Sequence, residues 1–89
     1  MRAVISVIGK DTVGILASVS NACAKHNVNI LEVTQSILQD MFCMIMIADV
    51  SKSDIPFTQL TDEISKMGEE MNLSIHMMHE DIFNSMHRI

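Results

Sequence analysis

Two runs of this chain are apolar on both faces of a strand, and they limit its fold more than anything else in it. RAVISVI, from Arg2 to Ile8, puts Ala3, Ile5 and Val7 on one side and Val4 and Ile8 on the other, with Ser6 between. MFCMIMIADV, from Met41 to Val50, is apolar on both faces as well. A strand that alternates can leave one face in water. These two cannot, so both belong in the middle of a sheet. Eighty-nine residues make one domain, residues 1–89. A chain this short buries only somewhat more than ~60% of the surface its unfolded form exposes, so its core must be used well.

Around these runs the spacing alternates between strand and helix. A polar turn, Gly9 to Thr12, leads into a helix expected from Val13 to His26, with Asp11 or Thr12 as its cap. Ile15, Leu16, Val19, Ala22, Cys23 and His26 share one face of it. Asn27 tolerates the left-handed conformation that ends a helix. NILEVTQSILQ, from Asn29 to Gln39, sets Leu31, Val33 and Ile37 against Glu32, Thr34 and Ser36. That is a half-wet edge strand, joined to the Met41 run by a hairpin at Gln39-Asp40. A polar loop from Ser51 ends in Asp54 as a cap, and Pro56 suits the first helical position. Phe57, Leu60, Ile64, Met67 and Met71 then recur at three and four, until Asn72 closes the helix. Residues 73–78 make a fourth strand. The tail from His79 carries Ile82, Phe83, Met86 and Ile89 on one side, as a short amphipathic helix or an ordered arm.

The order is βαββαβ over residues 1–78, with a helical tail over 79–89. This is an α+β, ferredoxin-like sandwich, whose first and third strands are central. Those are the two strands apolar on both faces, so pattern and topology agree. Both long helices cover one face of the sheet. The other exposes apolar side chains, to be covered partly by the tail and partly by a second copy, which implies a homodimer.

Composition excludes several classes. Six basic residues against eleven acidic ones leave a charge of −5, a poor match for nucleic acid. There is no tryptophan or tyrosine to stack bases. No apolar run approaches the roughly 20 residues of a membrane span. Cys23 and Cys43 form no CxxC or His-rich pattern, and no leader precedes them. They read as reduced thiols of a cytoplasmic protein. Nine methionines suit an adaptable core or partner contact.

GKDTVGILA after a strand, then a helix ending in KHNVNI, resembles the ACT domain, whose usual form is DRPGLLA, a helix and GVNI. The whole chain is similar to small stand-alone bacterial and archaeal ACT-domain proteins, and the ending HEDIFNSMHRI strengthens the likeness. The resemblance implies regulation rather than chemistry: a small effector, often an amino acid, bound between two domains. Carried over position by position, it implies a ligand site at Asp11, Thr12, Val13, Gly14, Ile15, Leu16, Asn29 and Ile30. A helix start with free N–H groups and a partial positive charge suits a carboxylate, and Asn29 offers both a donor and an acceptor. The same residues also have plainer readings: Asp11 and Thr12 as caps, Gly14 for close packing, Asn29 as a turn. Some amino-acid-binding members carry a His and an Asn where this chain has Gly9 and Asp11, and a Pro where it has Val13. A preference for serine therefore does not carry over, while Asp11 can pair with a ligand ammonium.

Other clusters carry less. His76 and His79 point to opposite faces if the strand continues, so they do not converge on a metal with Glu80, Asp81 and His87. Glu80 and Asp81 suit a helix start, and His26 suits the last carbonyls of its helix. No nucleophile with an activating partner, phosphate loop or carboxylate pair is present, so neither an enzyme nor a cofactor is expected. The expected function is a regulatory domain that senses an amino acid and signals through a homodimer. The alternative is a module that docks on a partner enzyme without binding any effector.

Overall fold

In the computed structural model, which describes residues 1–10 and 13–86, the two doubly apolar runs lie side by side. Strand β1 (Arg2–Lys10) pairs antiparallel with β3 (Met41–Asp49) along its whole length, Arg2 opposite Asp49 and Lys10 opposite Met41. Strand β2 (Asn29–Leu38) flanks β3, and β4 (Leu73–His79) flanks β1, so the order is β2-β3-β1-β4 with every neighbouring pair antiparallel. Helices α1 (Ile15–Lys25) and α2 (Phe57–Glu70) are the crossovers, and α3 (Glu80–Met86) follows β4 directly. This is the expected ferredoxin-like βαββαβ sandwich with a helical tail.

The core lies between α1, α2 and one sheet face. Ala3, Ile5 and Val7 meet Phe42, Met44, Met46 and Ala48 there, under Ile15, Val19 and Cys23 of α1 and Leu60 and Ile64 of α2. Burial of the Cys23 thiol pushes its pKa up to about 11, so it is held as the neutral thiol. Gly68 also belongs to the buried face of α2: a Cβ there would stand 2.7 Å from Ile75 Cγ1, so its absence lets helix and strand close up.

The helix ends follow their turn residues. Asn27 (φ 61) and Asn72 (φ 58) take the left-handed conformation. At the end of α1 the Asn27 and Val28 N–H groups bond back to the Ala24 and Cys23 carbonyls, the paired closure that satisfies a helix terminus. The hairpin falls at Gln39-Asp40, with Gln39 at φ 60.

Several expectations need correction. Helix α1 starts at Ile15, two residues later than expected, with Gly14 as its N-cap in the left-handed conformation; the expected caps Asp11 and Thr12 lie outside the described residues. Pro56 precedes α2 with an extended ψ of 149° instead of opening it. Asp54 does not cap α2, because its carboxylate is bonded to His26. Strand β2 is exposed from Leu31 onward on both faces, not half-wet. Val33 and Ile37 stand opposite the buried Met46 and Phe42, yet they lie beyond the cover of the helices. The register also shifts by one at Leu31, between Ile30 and Glu32. The tail's apolar side chains divide: Phe83 turns toward the sheet, while Ile82 and Met86 stay exposed and Ile89 lies outside the described residues.

Candidate functional site

The strand register decides which expected site residues can meet. Chain direction puts the β1–α1 turn at the Lys10 end of the sheet. Asn29 lies opposite Asp49, which lies opposite Arg2, so Asn29 is at the other end of β1. Nine residues of strand separate them, on the order of 26 Å at the usual rise. Within one chain, Val13, Gly14, Ile15 and Leu16 gather at one end, and Asn29 and Ile30 at the other. Asp11 and Thr12 lie outside the described residues.

At the turn, Gly14 has φ 87, a region that favours glycine, and a Cβ built on it would meet nothing within 4 Å. The first intrahelical bond runs from Ser18 N–H to the Gly14 carbonyl at 2.9 Å. The N–H groups of Ile15, Leu16 and Ala17 therefore precede the helical ladder and face the positive end of the helix dipole. The side chain of Ile15 is buried in the core, leaving only its backbone to a ligand, whereas Val13 and Leu16 are exposed.

At the opposite end Asn29 lines a polar recess of about 310 Å³ with Asn27, Asp49 and Lys52. Hydrogen bonds from Ser51, side chain first and backbone second, hold the Asp49 carboxyl below its ordinary value. The Ser51 N–H lies 2.9 Å from Asp49 Oδ1, and the Met1 ammonium stands 4.0 Å from the same oxygen. Carboxylate, ammonium and two amides make a surface that can read both ends of a zwitterion. Ile30 is half-buried against the core and contributes packing.

Next to this recess, His26 joins three elements. Its Nδ1 is 2.8 Å from Asp54 Oδ1 and its Nε2 is 2.5 Å from Glu63 Oε2. The Asp54 N–H also donates to the His26 carbonyl. The hydrogen bond to Asp54, followed by the contact with Glu63, raises the His26 pKa although desolvation opposes it. The imidazole thus ties α1 to α2, a role larger than bonding its own helix's last carbonyls. Its partners are 28 and 37 residues away, and no local spacing points to them. No local spacing marks Asp49 and Lys52 either; the pairing of β3 with β2 at Asn29 brings them to the recess.

At the tail, His79 Nδ1 accepts the Asp81 N–H at 3.0 Å, so this histidine caps α3. Arg2 pairs with Glu80 and fastens the helix to β1. Among the described residues no three His, Cys, Asp or Glu side chains gather as a metal site. No described helix is long and apolar enough to cross a membrane.

A four-stranded antiparallel sheet in this order, with two helices on one face and a glycine-started first helix, defines a ferredoxin-like domain. The chain belongs to the ACT-domain family, whose model matches residues 2–78. It is 46% identical over 88 residues to a UPF0237 protein of Methanocaldococcus jannaschii, covering 99% of this chain and 98% of that one. A UPF0237 protein of Listeria innocua is 46% identical over 89 residues, with both chains covered in full. Among solved structures, an ACT domain protein from Streptococcus pneumoniae superimposes with a TM-score of 0.81 at 35% identity, covering 93% of each chain. ACT domains are commonly regulatory ligand-binding modules.

Proposed function

We propose that this chain is a non-enzymatic, cytoplasmic sensor that binds a small effector, an amino acid, and signals as a homodimer. One observation carries the reading: helix α1 opens on a left-handed glycine with empty space beside it and no side-chain cap. A carboxylate placed there accepts the free N–H groups of the first turn. The Asp11, Thr12, Val13, Gly14, Ile15 and Leu16 segment supplies that half of the site.

The other half, Asn29 and Ile30, is out of reach within one chain, so the site is completed by a second copy. Strand β2 offers the means. It is an edge strand with Val33 and Ile37 exposed beside an open row of backbone groups. Antiparallel pairing of two β2 strands puts the partner copy's β2 start beside Leu38. Leu38 stands level with Met41 and Lys10, at the end where the turn lies. A ligand held by both copies then binds one dimer shape better than another, as a sensor requires.

The test is thermal unfolding against the twenty amino acids, with sedimentation to follow association. Ligand at 100 times its Kd adds about 2.7 kcal/mol of stability. A shift of several degrees with one or two amino acids, lost in Asn29→Ala, supports the reading. No shift with any of them overturns it and favours the docking module.

A further inference from the structure

The sheet face opposite α1 and α2 carries a recess that the effector reading does not use. Its floor is Ile8, Cys43 and Ile45 of the two central strands, and Phe83 and Met86 of α3 form a wall. The volume is about 420 Å³, within the range of small-molecule sites, which run ~300–1,000 Å³. Ile8 and Ile45 remain 44% and 43% exposed in it, whereas Val4, nearer the α3 crossing on the same face, is buried.

The lining states what fits. Among the described residues no Asp, Glu, Lys or Arg lines the recess, in a chain where such residues make up 19%. A charged ligand would lose its hydration there and find no opposite charge. Among the described residues the polar groups are Ser6, the Cys43 thiol and His76, whose Nε2 is 3.2 Å from Ser74 Oγ. Ser6 and His76 are neighbours across β1 and β4, so the hydrogen-bonding groups gather on one side. The thioethers of Met78 and Met86, with Phe83, suit an aromatic ring. A second copy is the poorer occupant. Helix α3 stands on this face, touching β1 and β4, and obstructs the flat approach of another sheet at ~10 Å.

We propose that this recess binds a small uncharged molecule, an aromatic ring with one hydrogen-bonding group directed at Ser6 and His76. The site is separate from the one at the β1–α1 turn, and neither reading depends on the other.

The neutral fluorophore N-phenyl-1-naphthylamine tests it on the full chain. Cys43 serves as reporter, since Cys23 is buried with a raised pKa and reacts slowly. The expected result is saturable fluorescence at one probe per chain, with alkylation of Cys43 by iodoacetamide slowed several-fold at saturation. Ile45→Asp abolishes both effects with thermal unfolding unchanged, and so does Met86→Asp in the α3 wall. Fluorescence that persists undiminished in both variants places the probe elsewhere and overturns the proposal. Protection of Cys43 that rises with protein concentration alone overturns it too, because a second copy then covers the face.

Discussion

The two ends of the sheet are held in opposite ways. Where α1 finishes, side chains from distant segments lock together: His26 with Asp54 and Glu63, Asn27 with the Lys52 carbonyl, Arg2 with Glu80. The Met1 carbonyl accepts the Val50 N–H at the same end. Where α1 begins, the described bonds are mainly those of local turns, such as the Asn72 N–H to the Glu69 carbonyl, with positive φ at Gly14, Gln39 and Asn72; the Ser65 hydroxyl, donating to the Ile75 carbonyl at 3.3 Å, joins α2 to β4 on that half of the sheet. Cross-linking between elements fixes the relative positions of helices. Local turns fix only their own backbone. The end held by turns is therefore the one that deforms at the lower cost, which is what the proposed sensor reading needs.

The largest expected effect tests whether the turn-held end has any tight joint. A Cβ on Gly9 would stand 2.6 Å from Leu73 Cδ2, 3.2 Å from the Asn72 carbonyl oxygen and 3.3 Å from Leu73 Cα. Two of those atoms are backbone, so Gly9→Ala forces the entry of β4 away from β1. Urea unfolding should show a loss of about 1–3 kcal/mol, the usual range for overpacking. An unchanged midpoint would mean that β4 enters loosely and would sharpen the contrast between the two ends.

Next in size is the lock itself. His26→Ala leaves Asp54 and Glu63 without the imidazole that joins them, and a Tm fall of several degrees is expected. The pH dependence carries the sign. The pKa of His26 is raised in the folded state, so its stabilisation is complete below the unfolded value near 6.5. It is lost as pH rises through the higher folded value. The Tm gap between wild type and His26→Ala should therefore be widest at acid pH and narrow above neutrality. A gap independent of pH would make the imidazole a packing group and break the comparison at its clamped end.

How far the sequence shows this depends on how local each feature is. The central places of β1 and β3 follow from apolar residues on both faces, and the ends of α1 and α2 from Asn27 and Asn72. Each is decided within a few residues. The His26 bonds join segments 28 and 37 residues apart, and the place of Asn29 depends on the full register of β3 against β1. Neither appears in local spacing. Strand β2 misleads for a related reason: its alternation is real, but beyond its first two residues no side chain of it is buried. The glycine-turn motif identified the family while leaving open how a single chain could bring its two halves together.

The smallest effect separates fold from function at the turn. Gly14 has φ 87 and open space beside it, so a substituted side chain meets backbone strain and no clash. Gly14→Ala should cost about 1–2 kcal/mol, the penalty of the left-handed region for an ordinary residue. Gly14→Asn should cost less, because Asn hydrogen-bonds locally and visits that region readily. A Gly14→Leu variant adds bulk to the same strain, so weakened ligand binding in it alone does not tell strain from obstruction. The Asn variant does. If its stability is near wild type while the amino-acid shift of Tm disappears, the space beside Gly14 is where the effector lies. If stability and ligand shift both survive, the glycine serves the backbone only, and the contrast between the two ends then concerns flexibility without a ligand behind it.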